Sequence, residues 1–335
     1  MMTPSRDPDP RTPDARSPEG ADARSAPPPL RDGLLLVDKH DGCTSHDIVA
    51  MTRRILRQRK IGHCGTLDPA ATGLLLLTLG RATRLTRFLI RAPKSYEGTV
   101  RLGMATDTYD VTGEAASELA GSLEGVTAEA IDAAMDELNG TYLQAPPPYS
   151  AKKVGGKKFY ELARQGEEVP DVKKEVTVYD FSRLGAWTPD EDLRFHLSCT
   201  SGTYARSLAH EVGQKLGCGG ALSSLRRTQI GGFSLEDAVD LETLRERREA
   251  GEDAGSAFIP FDEIPLPFGE VTTDAQQEKR IQNGQTVLVR GLEGQEGDWI
   301  KVLNARRRFV AVATVAEKIG AGGGVGVIQP KVVFR

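Results

Sequence analysis

The chain has 335 residues, 43 Lys/Arg against 47 Asp/Glu, a formal charge of −4 and 39% hydrophobic residues, which suits two or three globular domains with a buried core. No stretch reaches the ~20 apolar residues of a membrane span, and the first 30 residues lack the apolar centre of a signal peptide. Four cysteines (Cys43, Cys64, Cys199, Cys218) without CxxC spacing argue against a zinc ribbon or disulfide scaffold and for a reducing cytoplasm.

Residues 1–32 hold eight of the 19 prolines, five Arg and six Asp/Glu with almost nothing apolar. They cannot bury enough surface to offset their ordering entropy and read as a disordered, Pro-rich leader. Order is expected from Gly33, with Leu34–Val37 as a short buried strand. Ser45 is placed to cap a helix over 46–57, whose apolar face is Ile48, Val49, Thr52, Ile55 and Leu56. Gly62–Gly73 (GHCGTLDPAATG) reads as a glycine-bounded loop feeding a buried strand, Leu74–Leu79. Ala82–Arg91 fits a helix with Leu85, Phe88 and Leu89 inward, and Tyr96–Met104 returns as a strand. Over 51–101, eleven Lys/Arg stand against two acids, Asp68 and Glu97, a basic sector able to meet a polyanion.

The next block reverses sign: residues 107–140 carry nine acids and neither Lys nor Arg, and include an amphipathic helix, Thr127–Leu138. Gln144–Lys158, with three prolines, a Gly-Gly pair and four lysines, reads as an exposed excursion. Val172–Leu184 and Leu193–Cys199 are strands; the second alternates, with His196 facing outward. Thr203–Leu216 is a helix stopped by Gly217, and Ala221–Leu235 a turn and strand. Eleven acids against three Arg over 236–270 mark the Pro-containing stretch 236–269 as a hinge. Residues 270–335 then read as short strands with glycine turns, a small β barrel or sandwich. Strands and helices interleave irregularly, so the class is α+β with a mixed sheet.

Gly320–Gly326 (GAGGGVG) fails the GxGxxG spacing and precedes no helix, so it reads as a hairpin loop. There is no P-loop, HExxH or GxSxG, and the five histidines show no metal-ligand pairing. Asp68 is the only acid of the Gly62–Gly73 loop, in a sector whose cations favour a charged carboxylate. A turn-capping Asp before Pro69 is the plainer reading. The junction Ser201–Arg206 (SGTYAR) places Arg206 on the first turn of a helix, able to pair with Asp68.

The run HCGTLDPAATGLLLLTLGRAT resembles the catalytic segment of the tRNA pseudouridine synthase B family, which makes pseudouridine-55 in the T loop of tRNA. Further matches follow in the family's order: Leu35–Lys39 with Ser45 and Asp47, Lys94–Gly103 (KSYEGTVRLG), Pro146–Tyr160 (PPPYSAKKVGGKKFY), Gly202–Arg206 (GTYAR) and Leu225–Arg227 (LRR). Gly284-Gln285 is similar to part of a PUA-type RNA-binding domain. His40 stands where the family usually has Pro, and Cys64 where Thr is common.

The resemblance implies a pseudouridine-synthase-type mixed or antiparallel sheet with flanking helices over 33–265, an RNA-binding flap over 144–174, and a PUA-like domain over 266–335. It implies that Asp68 is the catalytic carboxylate, that Tyr96 stacks on the target uracil, and that Arg206 holds Asp68. Leu225 would line the base pocket, His63 would help fill the space of the extruded nucleotide, and Lys39 would support the pocket. Lys152 and Lys153, with Lys157 and Lys158, would contact phosphates. The partner is tRNA, held at the T stem-loop and, through the C-terminal domain, at the acceptor end. No membrane is involved, and a monomer is the simpler expectation.

Making pseudouridine breaks N1–C1′, rotates the base and joins C5 to C1′, with no redox step, donor or metal, so no cofactor is expected. The residues do not choose between attack at C1′, addition at C6 and deprotonation at C2′. A non-catalytic RNA chaperone would use the same basic surface but needs no Asp68. A metal-dependent nuclease needs clustered acids, and the basic sector has only Asp68 and Glu97.

Overall fold

A computed structural model of the chain describes residues 32–116, 120–149, 173–319 and 324–335, together with the backbone of 153–154 and 157–158. The leader (apart from Asp32), Lys152 and most of the flap read over 144–174 lie outside the described residues, as does part of the 320–326 glycine run. Asp32, assigned above to the leader, is tied to the fold: its carboxylate accepts from the backbone N–H and the guanidinium of Arg81 at 2.6 and 2.8 Å.

The chain enters as β1 (Gly33–Lys39), turns through α1 (Ser45–Leu56), and returns as β2 (Ile61–His63) and β3 (Thr72–Leu79). A 3-10 turn over Gly80–Leu85 runs into α2 (Thr86–Leu89), followed by β4 (Lys94–Leu102), α3 (Ala128–Asp136) and β5 (Gly140–Gln144). A two-stranded ribbon, β6 (Lys153–Val154) with β7 (Lys157–Lys158), stands apart from the main sheet. Then come β8 (Lys174–Arg183), β9 (Leu193–Cys199), α4 (Ala205–Lys215), β10 (Gly220–Ile230), β11 (Phe233–Ser234), α5 (Leu241–Glu249) and β12 (Phe258–Pro260). These strands form one ten-stranded sheet in the order β12-β1-β3-β10-β4-β9-β8-β5, with β2 on β3 and β11 on β10.

The rest, β13 (Glu270–Thr273), α6 (Ala275–Gln282), β14 (Val287–Arg290), β15 (Trp299–Asn304), β16 (Phe309–Ile319) and β17 (Val325–Val333), builds a separate five-stranded sheet. Its order is β13-β15-β16-β17-β14. Among the described residues no helix is long and apolar enough to cross a membrane.

Three apolar clusters divide the large sheet. Leu35, Val37, Leu75 and Leu77 pack against α1 and α5. Leu34, Leu36, Leu74 and Leu76, on the opposite face as strand alternation requires, share a cluster with Phe309 and Val312 of the second sheet and with Phe334 just beyond it. The far half, with Val100, Phe195, Leu197 and Val178, packs against α3 and α4. Continuous Leu34–Val37 and Leu74–Leu77 are therefore buried on both faces, which is why they do not alternate.

Several expectations are corrected. Thr44, not Ser45, caps α1: it accepts the Asp47 N–H at 3.1 Å while the Asp47 carboxylate accepts the Thr44 N–H at 2.9 Å, a capping box. The helix read over 82–91 is a 3-10 turn and one α turn. Pro93 bars its extension, and the Lys94 ammonium instead closes it by donating to the carbonyls of Ile90 and Ala92 at 2.9 and 2.8 Å. The stretch 236–269 is not a hinge. Within it α5 buries Leu241 and Leu244, and β12 pairs with β1.

Candidate active site

The Asp68 loop spans Cys64–Ala71 between β2 and β3. It starts where His63 pairs with Leu77 and ends at the parallel seam between β3 and β10, where Gly73 lies opposite Arg227. Gly73 has φ +96, and a Cβ there would run into the Arg227 carbonyl. Glycine is required at this point by both conformation and space.

Four side chains from distant positions clamp this loop. The Ser45 hydroxyl accepts the Leu67 N–H at 2.9 Å and donates to the Leu67 carbonyl at 3.3 Å. Lys39 is wholly buried, and its ammonium donates to the carbonyls of His40, Pro69 and Ala71 at 2.9, 3.0 and 2.6 Å. Arg227, also buried, donates to the Leu74 carbonyl at 2.7 Å and to that of Gly65 at 3.2 Å. The fourth, Arg206, reaches Asp68 itself. Backbone on both sides of Asp68 is thus fixed by residues outside the loop, which is how a short irregular segment holds one side chain in place.

Asp68 does not act as the turn cap that Asp-Pro suggests. The turn is closed by its backbone carbonyl, which accepts the Ala71 N–H at 3.0 Å. The carboxylate instead lies 3.0 Å from Nη2 of Arg206, with the Asp68 side chain 55% exposed and the Arg206 side chain 10% exposed. Arg206 sits on the first turn of α4. Its Nη1 faces a second carboxylate, Asp110, at 3.4 Å, and donates to the carbonyls of Thr108 and Tyr149 at 3.1 and 3.2 Å. A planar guanidinium can satisfy this many acceptors in one plane where an ammonium cannot.

Tyr96 is buried in the cluster that contains Leu67, with Leu225 packed partly exposed against it. Burial pushes the Tyr96 phenol up, while the Arg227 guanidinium, which also hydrogen-bonds it, pulls the other way; the Asp68 charge adds a smaller upward push. His63 lies at the loop's entrance, edge-to-face with His46 at 5.3 Å. Burial, then the neighbouring His46, lowers its pKa, with a hydrogen bond to the Gly65 backbone opposing. Lys94 is pushed down to about 8 by burial, with Arg227 adding to the effect. The structure thus brings together Asp68, Arg206, Tyr96 and Leu225, with Lys39 beneath the loop and His63 at its start. Lys153 lies in the β6–β7 ribbon by its backbone, and Lys152 is outside the described residues. Among the described residues, no group of three or more His, Cys, Asp or Glu is arranged to hold a metal ion.

The N-terminal domain of the TruB family of pseudouridylate synthases matches residues 53–205, and the tRNA pseudouridylate synthase B C-terminal domain matches 206–264. The tRNA pseudouridine synthase B of Solibacter usitatus is 41% identical over 286 residues, 85% of this chain and 96% of its own length. That of Ralstonia pickettii is 40% identical over 313 residues, 92% of this chain and 96% of its own. The chain belongs to the tRNA pseudouridine synthase B family. It is accordingly an isomerase that converts uridine to pseudouridine in tRNA.

A solved Cbf5-Nop10-Gar1 complex gives a TM-score of 0.67 at 26% identity, covering 90% of this chain and 85% of that one. A structure of an H/ACA RNP bound to a substrate RNA shares the fold at the same TM-score and 24% identity, with coverage of 90% and 85%. The large mixed sheet is therefore a pseudouridine synthase sheet, and the five-stranded C-terminal sheet fits a PUA-like domain.

Within this synthase fold, Ser45, expected as a helix cap, is instead a loop clamp, and Arg227 and Lys94 beneath the loop and Asp110 are site residues to which the sequence assigned no role. Lys94, Ser45 and Arg227 stand inside the quoted motifs, so their position was visible though their contacts were not. Asp110 is one of nine acids in a block without Lys or Arg, and nothing local marks it.

Two predictions arise here. Lys39→Met keeps the length of the side chain but leaves two loop carbonyls, Pro69 and Ala71, and that of His40 without their donor. It is expected to cost about 2–4 kcal/mol of stability and to lower turnover at least tenfold by loosening Asp68, checked by thermal unfolding and an activity assay side by side. Glu211, on α4, has its pKa raised to about 7 by burial, with Lys215 opposing. A carboxyl whose folded pKa lies above its unfolded one binds protons more tightly when folded, so stability is lost as pH rises from about 4.5 to 7. Glu211→Gln is therefore expected to raise Tm at pH 8 by about 2–4 °C and to leave it unchanged at pH 4, read from melting curves at both values.

Proposed function

We propose that the chain acts on the uridine at position 55 in the T loop of tRNA, with Asp68 as the carboxylate that attacks or deprotonates the flipped-out nucleoside. The observation that carries this reading is the half-exposed Asp68 carboxylate, paired at 3.0 Å with a nearly buried Arg206 in a loop clamped on both sides. A carboxylate next to an apolar base must be kept charged, and a fixed guanidinium does this without proton exchange. Tyr96 stacks on the uracil, Leu225 lines the pocket, His63 helps occupy the space that the base leaves, and Lys39 supports the loop. Extruding the base costs about a few kcal/mol, offset by phosphate contacts from the 51–101 sector and from Lys152 and Lys153.

Residues 33–265 form the catalytic unit, 144–174 its RNA-binding flap, and 266–335 a PUA-like unit on the acceptor end; 1–32 is a leader outside the chemistry. The enzyme works as a monomer in the cytoplasm. The test uses tRNA transcribed with C5-tritiated uridine, since C5 loses its hydrogen only if the base is isomerised. Tritium release is expected from wild-type transcript and is expected to vanish when the T-loop uridine is replaced by cytidine. Undiminished release from the replaced transcript overturns the assignment of the site.

A further inference from the structure

We propose that Gln144 is a positioning residue for Arg206, acting through the backbone of Tyr204; this rests on the reading of Asp68 and Arg206 as the reacting pair. Gln144 ends β5 and is 2% exposed. Its Oε1 accepts the Tyr204 N–H at 2.8 Å, and its Nε2 donates to the Tyr204 carbonyl at 3.3 Å. One side-chain amide thus satisfies both polar groups of one backbone residue, as a neighbouring strand would.

That residue is the N-cap of α4, its own side chain makes no capping hydrogen bond, and the same carbonyl receives the first helical N–H, from Leu208, at 3.3 Å. Arg206 stands two residues further on. The contacts continue along the same segments: Ser207 donates to the Ala145 carbonyl at 2.9 Å and Arg206 to that of Tyr149 at 3.2 Å. Lys174, the register partner of Gln144 on β8, donates to the Ser201 carbonyl at 2.7 Å. The entry into α4 is therefore held from β5 and β8.

The need for such a hold follows from leverage. Arg206 reaches Asp68 through a long side chain, and a site must keep its groups within about 0.5 Å and 10–20° of the productive geometry. A small rotation of the first turn of α4 moves the guanidinium off both carboxylates. Gln144 supplies the donor and the acceptor that fix this rotation. An ionised glutamate supplies only acceptors, and methionine supplies neither.

The experiment measures kcat by tritium release and tRNA affinity by filter binding for Gln144→Met and Gln144→Glu, each alone and combined with Arg206→Lys. Gln144→Met is expected to lower kcat at least tenfold while tRNA affinity stays within twofold. Gln144→Glu is expected to fall comparably at alkaline pH, where the buried carboxyl is ionised, and to recover relative to wild type as pH is lowered, because the protonated carboxyl again donates to Tyr204. In the Arg206→Lys background Gln144→Met is expected to cost less than threefold more. Unchanged kcat in Gln144→Met, an equal loss in both backgrounds, or a flat pH ratio for Gln144→Glu overturns the proposal. If Gln144→Met loses tRNA binding, and so its fold, the pH ratio of Gln144→Glu decides alone. Full activity of Arg206→Ala, measured alongside, would instead overturn the reading of the ion pair.

Discussion

Asp68→Asn is expected to lower pseudouridine formation by at least about 10⁴-fold, roughly 5 kcal/mol of transition-state stabilisation, while tRNA affinity stays within about tenfold (~1.4 kcal/mol). The amide has the shape of the carboxylate and can still accept from Arg206, so the loop and its clamps remain. What it lacks is negative charge, and each of the three routes to glycosidic cleavage begins with that charge, either bonding to carbon or removing a proton. Stability should change little, about 1 kcal/mol or less, because the pair is half open to solvent on the Asp68 side and Arg206 keeps its other acceptors. The measurement is tritium release from C5-labelled tRNA, with filter binding alongside. Turnover within a hundredfold of wild type would remove Asp68 from the chemistry.

The pairing of Asp68 with Arg206 was open to a sequence reading because both ends carry local signals. Asp68 is the one acid in a glycine-bounded loop, and Arg206 follows a strand and opens a helix. Asp110 carries no such signal, and its partner is 96 residues away, so only folding reveals that Arg206 serves two carboxylates. Gln144 was read into an exposed excursion because prolines and lysines dominate its neighbourhood, yet it is the buried end of a strand. The same averaging hid α5. Leu241 and Leu244 are three apart and face the core, but the glutamates and arginines around them set the composition of the window. Sheet order was not legible either: β10 lies between β3 and β4, inserted by a strand more than 100 residues downstream, and no local pattern encodes that insertion.

Removing the cation should be nearly as severe as removing the anion. Arg206→Ala is expected to reduce kcat about 10³-fold, with tRNA affinity within about tenfold. The alanine leaves Asp68 and Asp110 without the guanidinium between them, and the carbonyls of Thr108 and Tyr149 without its N–H groups. Asp68 would no longer be held toward the substrate, and two like charges would face one another across the vacated position. Arg206→Lys restores one positive charge but not the fork, and a single ammonium cannot span both carboxylates, so it should recover less than about a tenth of wild-type kcat. Asp110→Asn should be milder, a loss of about tenfold (~1.4 kcal/mol), because the two carbonyls still hold Nη1. Ordering the three by single-turnover rate, with Asp110→Asn fastest and Arg206→Ala slowest, tests whether geometry as well as charge is required. Equal rates for Arg206→Lys and wild type would show that charge alone suffices.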